Sequence, residues 1–306
     1  MSTADITNNG VLPMNSIRKN KKAIILFTAP ALLLYTLVVI YPIIQTFWRS
    51  FYKWDGLSTP KFINIRNYTR IFSDHDFYIS LVNGLKFSLV LVVYQIGLGA
   101  FIAFTLFRLK AGKARFFRNS FFVPVVLSTT VVCQLWLSIL NGHYGLLNQV
   151  FKVLGINYAQ DWLSSSSTAI WVLAFVNAWQ FMGYHMVLIY TAVKAIPEHF
   201  FEAAAIDGAT SLQTHLRITF PLLAETFKIC LIFAVTGGLK AFEQMAVMTG
   251  GGPGTSTFTL TYFMYRAAFR LNEYGYACTS ATILVIECLI FTIIINRFVA
   301  RERIVY

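Results

Sequence analysis

The sequence predicts an all-α integral membrane protein with six membrane-spanning helices. Three observations lead there. Of 306 residues, 57% are hydrophobic and 12% are charged, whereas a soluble domain carries about 25% charged residues. Apolar runs of roughly 20 residues, the length that crosses a bilayer as a helix, recur along the chain. Lys and Arg also concentrate in every second connection between those runs, as they do on the cytoplasmic side of membrane proteins.

Residues 1–22 are polar and end in Arg18, Lys19, Lys21 and Lys22. The apolar run that follows, about 23–46, is too long for a signal-peptide core and has no small-residue cleavage pattern, so it reads as a retained first span. Pro30 and Pro42 fall inside it and predict local kinks. Further spans follow at about 85–107, 117–140, 168–193, 222–239 and 279–298, giving a transmembrane unit over 23–298 and a tail at 299–306.

The N-terminal segment and connections 108–118, 194–221 and 297–306 together hold fourteen Lys and Arg. The longer connections 45–84, 141–166 and 240–278 hold nine. That bias predicts cytoplasmic termini and a cytoplasmic 194–221 loop. The net charge of +12 does not indicate nucleic acid, because the basic residues flank apolar spans and form no interleaved basic and aromatic surface. Cys133, Cys230, Cys278 and Cys288 show neither disulfide nor metal-ligand spacing.

The connection 45–84 carries Trp48, Phe51, Tyr52 and Trp54, then Asn67-Tyr68 and Ile71-Phe72. This suits an interfacial aromatic belt on an amphipathic segment, or a surface that stacks carbohydrate. The connection 141–166 is turn-rich, with Gly142, Gly145 and four serines from Ser164. Thr249-Gly-Gly-Gly-Pro-Gly254 lacks the Lys-Ser or Lys-Thr of a phosphate-binding loop and reads as a sharp turn before a short amphipathic helix. No catalytic constellation appears, and the five histidines are scattered.

Polar side chains in lipid are costly and mark function by default. The fourth span holds Asn177, Trp179, Gln180, Tyr184 and His185, with Asn177, Gln180 and Tyr184 on one face at i, i+3 and i+7. Amide and hydroxyl groups beside aromatic rings fit a sugar, and they equally fit hydrogen bonding between helices. Gln134, with Ser128, Thr129 and Thr130, marks the third span, and Glu243, with Lys240 and Gln244, marks the outer end of the fifth. Glu225, near the cytoplasmic interface and within reach of Lys228, and the deeper Glu287 could instead serve a proton relay with His185.

Between the fourth and fifth spans lies Glu202-Ala-Ala-Ala-Ile-Asp-Gly208-Ala-Thr, continuing to Pro221. Ala203, Ala204 and Ala205 favour helix, and Asp207-Gly208 interrupts it. Pro197 suits a first helical turn, and Glu198 and Glu202 complement its positive end. Two short helices with a hinge follow, with Phe200, Phe201, Ala204, Leu212 and Leu216 able to line one face as an apolar knob offered to something outside the membrane.

This stretch resembles the EAA loop of binding-protein-dependent ABC importer permeases. "NYTRIF", "TGGGP" and the later "GYA" look like the maltose/oligosaccharide-type sugar-permease branch. The resemblance implies a type I importer fold in which 198–221 contains a cytoplasmic coupling helix between spans four and five. Glu202, Ala203, Ala204, Asp207, Gly208, Ala209 and Pro221 would couple it to an ATPase. It further implies a bacterial cytoplasmic membrane location, a second homologous permease (most simply a different polypeptide), two ATPase subunits that bind ATP and Mg, and an extracytoplasmic sugar-binding protein. The chain itself then needs no cofactor and performs no ATP hydrolysis. Asn177 and Tyr184 match the branch's sugar-contacting positions on this span, whereas Gly238 and Ala241 stand where its other polar contacts lie. The alternatives are a permease for glycerol-phosphate or another small polar solute, and an ion-driven carrier.

Overall fold

The structure, a computed structural model, describes residues 21–156 and 160–299. Nearly all of the polar segment 1–22 and of the tail 299–306 therefore lies outside the described residues. Among the described residues, four helices are long and apolar enough to cross a membrane, and two sharply bent helix pairs bring the number to six if each pair is one span.

Helix α1, Ile24–Arg49, is one continuous span whose residues 24–44 are exposed. Two kinks were expected at its prolines. Pro30 lies within regular helix, and only the turn Thr36–Ile40 widens to π geometry ahead of Pro42. A proline has no N–H to return to the carbonyl four residues back, and a wider turn accommodates that loss without a break. A π turn, His215–Thr219, also precedes Pro221, but there the helix bends at Leu223.

The first outer connection contains a small hairpin that the belt reading did not foresee: β1, Tyr52–Lys53, pairs antiparallel with β2, Lys61–Phe62. Helix α2, Arg66–Ile71, follows it. Asn67 of the "NYTRIF" stretch is buried and donates its amide to the carbonyls of Ser50 (2.8 Å) and Tyr52 (3.0 Å), tying the exit from α1 to α2.

Helix α3, His75–Phe107, begins ten residues earlier than the expected 85, where the Asp74 carboxylate accepts the Asp76 N–H as an N-cap. Its first turns look too polar to be a span, but tertiary partners satisfy them. Asp76 pairs with Arg266 at 3.0 Å, and the Asn83 amide donates to the carbonyls of Ser256 (2.7 Å) and Phe258 (3.0 Å).

The expected third span, 117–140, is two helices. Helix α4, Ala111–Val126, meets α5, Thr129–Ile139, at 97°. Helix α6, Leu146–Val153, lies in the next connection. Helix α7, Ala169–Lys194, is the fourth span, and α8, His199–Ile206, follows it. The expected fifth span, 222–239, is the outer part of a second bent pair: α9, Leu212–Leu222, and α10, Ala224–Leu239, meet at 70°. Helix α11, Leu260–Tyr265, leads into α12, Tyr274–Phe298, which starts five residues before the expected 279.

Helix α7 is the centre of the bundle, packed against α3, α4 and α10, and α12 closes on α10 and the outer end of α1. Small residues let these backbones approach, since hydrocarbon gives no hydrophobic drive between helices. A Cβ on Gly183 of α7 would collide with the Phe121 carbonyl of α4, and one on Gly238 of α10 would collide with Ser88 of α3. Ser88 uses that proximity to donate to the Val235 carbonyl at 3.0 Å. At the outer end, Arg70 forms a two-pronged bridge to Glu273 at 2.9 Å, and the Tyr276 hydroxyl donates to Asp74 at 2.8 Å.

Gly183→Ala should destabilise the purified protein by about 1–3 kcal/mol, because the added methyl meets backbone that cannot give way. Gly97→Ala, where a Cβ meets nothing within 4 Å, should be neutral or stabilising by up to about 1 kcal/mol. Thermal unfolding in detergent compares the two.

Candidate functional site

Two regions carry the polar features that the spans otherwise lack. The first is the loop after α7. Its sequence folds as one helix stop and one helix start placed back to back. Gly208, at φ 71°, donates its N–H to the Ala205 carbonyl at 3.1 Å, and Ala209 donates to the Ala204 carbonyl at 2.9 Å. These two bonds make a complete Schellman stop, in which the left-handed position suits glycine. The next helix opens with a reciprocal box: the Gln213 side chain accepts the Thr210 N–H at 2.8 Å, and the Thr210 hydroxyl accepts the Gln213 N–H at 3.4 Å.

Within α8, Ala204 is buried and Phe201 packs against Phe107 with ring centroids 5.8 Å apart. Glu202, Ala203 and Asp207 point outward, Ala209 is half-buried, and Pro221 is half-buried just before the bend at Leu223. Sequence reading assigned the exposed knob to Phe200, Phe201, Ala204, Leu212 and Leu216. The structure turns Ala204 inward and leaves Phe200 and Phe201 half-buried, and the most exposed apolar side chain of the loop is Ile206, at 86%. Leu212 and Leu216 are exposed as expected. Ile206 lies one turn beyond Glu202, a relation visible in the sequence.

The second region is the middle of α7 with its neighbours. Asn177 is half-buried and accepts a hydrogen bond from Gln95 Nε2 at 3.1 Å. Gln95 is buried on the π turn Val92–Leu98 of α3. Gln180 is fully enclosed, and its amide donates to the Leu127 carbonyl at 3.1 Å and lies 3.4 Å from the Thr129 hydroxyl. It thereby supplies a donor to the break between α4 and α5. Tyr184, 37% exposed, lies beside His185 and Phe233. Asn177, Gln180 and Tyr184 share a helix face by spacing, yet each meets a different neighbour.

Trp179 stands edge-on to Trp136 at 5.6 Å, and Trp136 to Phe175 at the same distance. Tyr94 joins them through Phe175 at 5.8 Å, which makes an aromatic wall near Asn177. Gln134 is exposed on α5, and Glu243 is exposed beyond α10. Gly238 and Ala241 are buried.

Sequence reading missed Gln95, Trp136, Tyr94 and Phe175. A glutamine inside an apolar run was the available signal for the first. Gln244 is fully buried with neither amide atom partnered, and Trp136 Nε1 is also unpartnered.

The carboxylates of the rival relay lie apart in role. Glu225 pairs with Lys228 at 2.6 Å, whereas one Glu287 oxygen is buried without a partner and His185 Nδ1 makes a contact of 3.4 Å with the Phe181 carbonyl. Among the described residues, no group of His, Cys, Asp or Glu is placed to hold a metal ion.

A bundle of bent membrane helices around buried polar side chains, with a stiff loop projecting from one end, defines a multi-span membrane transport component. The chain belongs to the family of binding-protein-dependent transport system inner membrane components, whose profile matches residues 79–304. It is 34% identical over 285 residues to the probable ABC transporter permease protein YurN of Bacillus subtilis, covering 92% of this chain and 97% of that one. The multiple sugar-binding transport system permease protein MsmF of Streptococcus mutans is 36% identical over 262 residues, 85% of this chain and 89% of that one. A chain from a bacterial alginate ABC transporter, crystallised with an alginate pentasaccharide-bound periplasmic protein, superposes with a TM-score of 0.81. The superposition covers 95% of this chain and 98% of that one at 17% identity, a likeness of fold.

Gly208→Val should strain the left-handed position by about 1–2 kcal/mol. Amide exchange in 204–213 should then accelerate about fivefold to thirtyfold, with α3 and α7 unchanged. Hydrogen–deuterium exchange with mass spectrometry reads both regions in one experiment.

Proposed function

We propose that this chain is one permease subunit of an ATP-driven importer that takes up an oligosaccharide or related sugar delivered by an extracytoplasmic binding protein. The observation that carries the reading is the doubly capped loop 199–213, which holds Ile206 out from the bundle. An exposed apolar tip on a stiff connector fits a complementary cleft and transmits displacement, where a flexible loop would absorb it. The Lys and Arg bias puts this loop and both termini on the cytoplasmic side, where ATP is available.

In this reading two ATPase subunits bind ATP and Mg and move the loop. Glu202 faces the ATPase, and Asp207-Gly208 keeps α8 and α9 at a fixed angle. A second homologous permease, most simply a different polypeptide, completes the path, for which the exposed first span leaves surface. The bundle then alternates between two rigid arrangements, which nucleotide and loaded binding protein bias in opposite directions. The sugar passes Asn177, Tyr184 and the Trp136–Trp179 wall, where amide and hydroxyl groups meet hydroxyls and ring faces meet C–H surfaces. Gln180 supports that wall by holding the α4–α5 break. Gln134 and Glu243 lie along the outer approach. MsmF's name supports a sugar as cargo. Glycerol-phosphate is less favoured, because α7, which carries Asn177 and Tyr184, holds no arginine to meet a phosphate. The Glu225–Lys228 pair weakens an ion-driven relay, since it gives that carboxylate a structural partner.

Uptake of a labelled oligosaccharide by cells expressing the whole system should survive an uncoupler and stop on ATP depletion. Gly208→Val should abolish uptake with membrane insertion intact, and normal uptake in that variant would sink the coupling role. Asn177→Ala and Tyr184→Ala should each raise KM about tenfold, the equivalent of one lost hydrogen bond of about 1.4 kcal/mol. An unchanged KM in both would remove them from the path.

A further inference from the structure

A cavity of about 400 Å³ opens where α3 ends, α4 begins and α7 ends, lined by Leu109, Ala111, Arg115, Arg118, Tyr190, Thr191 and Lys194. It lies on the same side of the membrane as the loop 199–213, because Lys194 closes the span from which that loop leaves. Three of its residues are cations and none is an acid. Among the described residues, no ion pair engages Arg115, Arg118 or Lys194. The nearest acid by chain position, Glu198, lines the adjoining cavity together with Lys194.

The cavity is built for an anion in two further ways. The Arg118 guanidinium lies over the Tyr190 ring, 5.8 Å from its centroid, which orients a planar fork of donors beside the opening. The first turn of the sixteen-residue helix α4 has no side-chain cap, so its free N–H groups add to the positive field. Past Arg118 on the same helix, Phe121, Val123 and Val126 are exposed. A ligand seated here thus meets cations at the membrane edge and exposed apolar side chains farther along α4.

We propose that this cavity binds the phosphodiester of an anionic phospholipid, with the headgroup on Arg115, Arg118 and Lys194 and the acyl chains along the exposed face of α4. Phosphate accepts charge-assisted, two-pronged hydrogen bonds from arginine, and the exposed apolar side chains select a lipid over a soluble phosphate. The site joins α3, α4 and α7, so an occupied cavity ties together the segments next to the loop whatever solute is carried.

The test uses the full chain purified in mild detergent and incubated with phosphatidylglycerol, phosphatidylcholine or millimolar inorganic phosphate, with retained lipid read by native mass spectrometry. Phosphatidylglycerol should be retained and phosphatidylcholine should not. The double variant Arg115→Gln/Arg118→Gln should weaken retention at least about tenfold, from the loss of two charged hydrogen bonds, whereas Arg115→Lys/Arg118→Lys should keep most of it. Lys113→Gln removes an exposed charge of α4 that does not line the cavity, and it should change nothing. Wild-type retention in the double glutamine variant, equal retention of phosphatidylcholine, or equal loss in Lys113→Gln would each overturn the proposal. Displacement of the lipid by inorganic phosphate would overturn it in favour of a soluble-anion site.

Discussion

In hydrocarbon, a backbone carbonyl or N–H without a partner costs several kcal/mol, and that cost governs every place where this chain leaves regular helix. At Leu127 and Ser128 the third span turns by 97°, and Gln180 reaches from the central helix to donate to the stranded Leu127 carbonyl. A long amide side chain therefore does there what water does at a surface helix end. Where the departures are milder, no side chain is recruited. The π turn before Pro42 absorbs the proline within the helix itself.

The outer face follows a second rule. Polar residues can open a membrane helix only if something meets them, and the first and third outer connections meet each other. Asp74 and Asp76 at the start of α3 are held by Tyr276 and Arg266, and Asn83 by the carbonyls of Ser256 and Phe258. Arg70 and Glu273 complete the latch in an exposed position, where an ion pair contributes at most about 1 kcal/mol. The buried Asn67, bonded to two carbonyls near the exit from α1, is the firmer fastening.

The opposite face is organised for stiffness. A glycine stop and a Thr-Gln start are set nose to tail, and hydrogen bonds close both helix ends. Close contacts at Gly183 and Gly238 carry the same rigidity through α7 and α10. Tight packing of this kind favours displacement of helices as packed bodies over continuous deformation.

How much was legible in the residues depends on the range of the interaction. Spans came from length and hydropathy. The EAAAIDGA stop came from local chemistry, because the partner of Gly208 lies within five residues, whereas the Thr210–Gln213 start, equally local, went unread. The polar start of α3, the hairpin at Tyr52, the break at Leu127 and the inward turn of Ala204 were not legible. Each depends on a partner that folding supplies: Ser256 for Asn83 from 173 residues away, and Leu127 for Gln180 from 53. Asn177 and Gln180 make the point on one helix face. Spacing makes them equivalent, but one meets Gln95 at a half-open site and the other is sealed against a broken helix. The sequence by itself determined roughly where the spans lie and where the helix in the connecting loop stops, since transfer from water and helix capping act over a few neighbouring residues. Only the tertiary structure decided which polar side chains serve the fold and which stay open to a solute, because that depends on which donor or acceptor another helix brings within 3 Å or so.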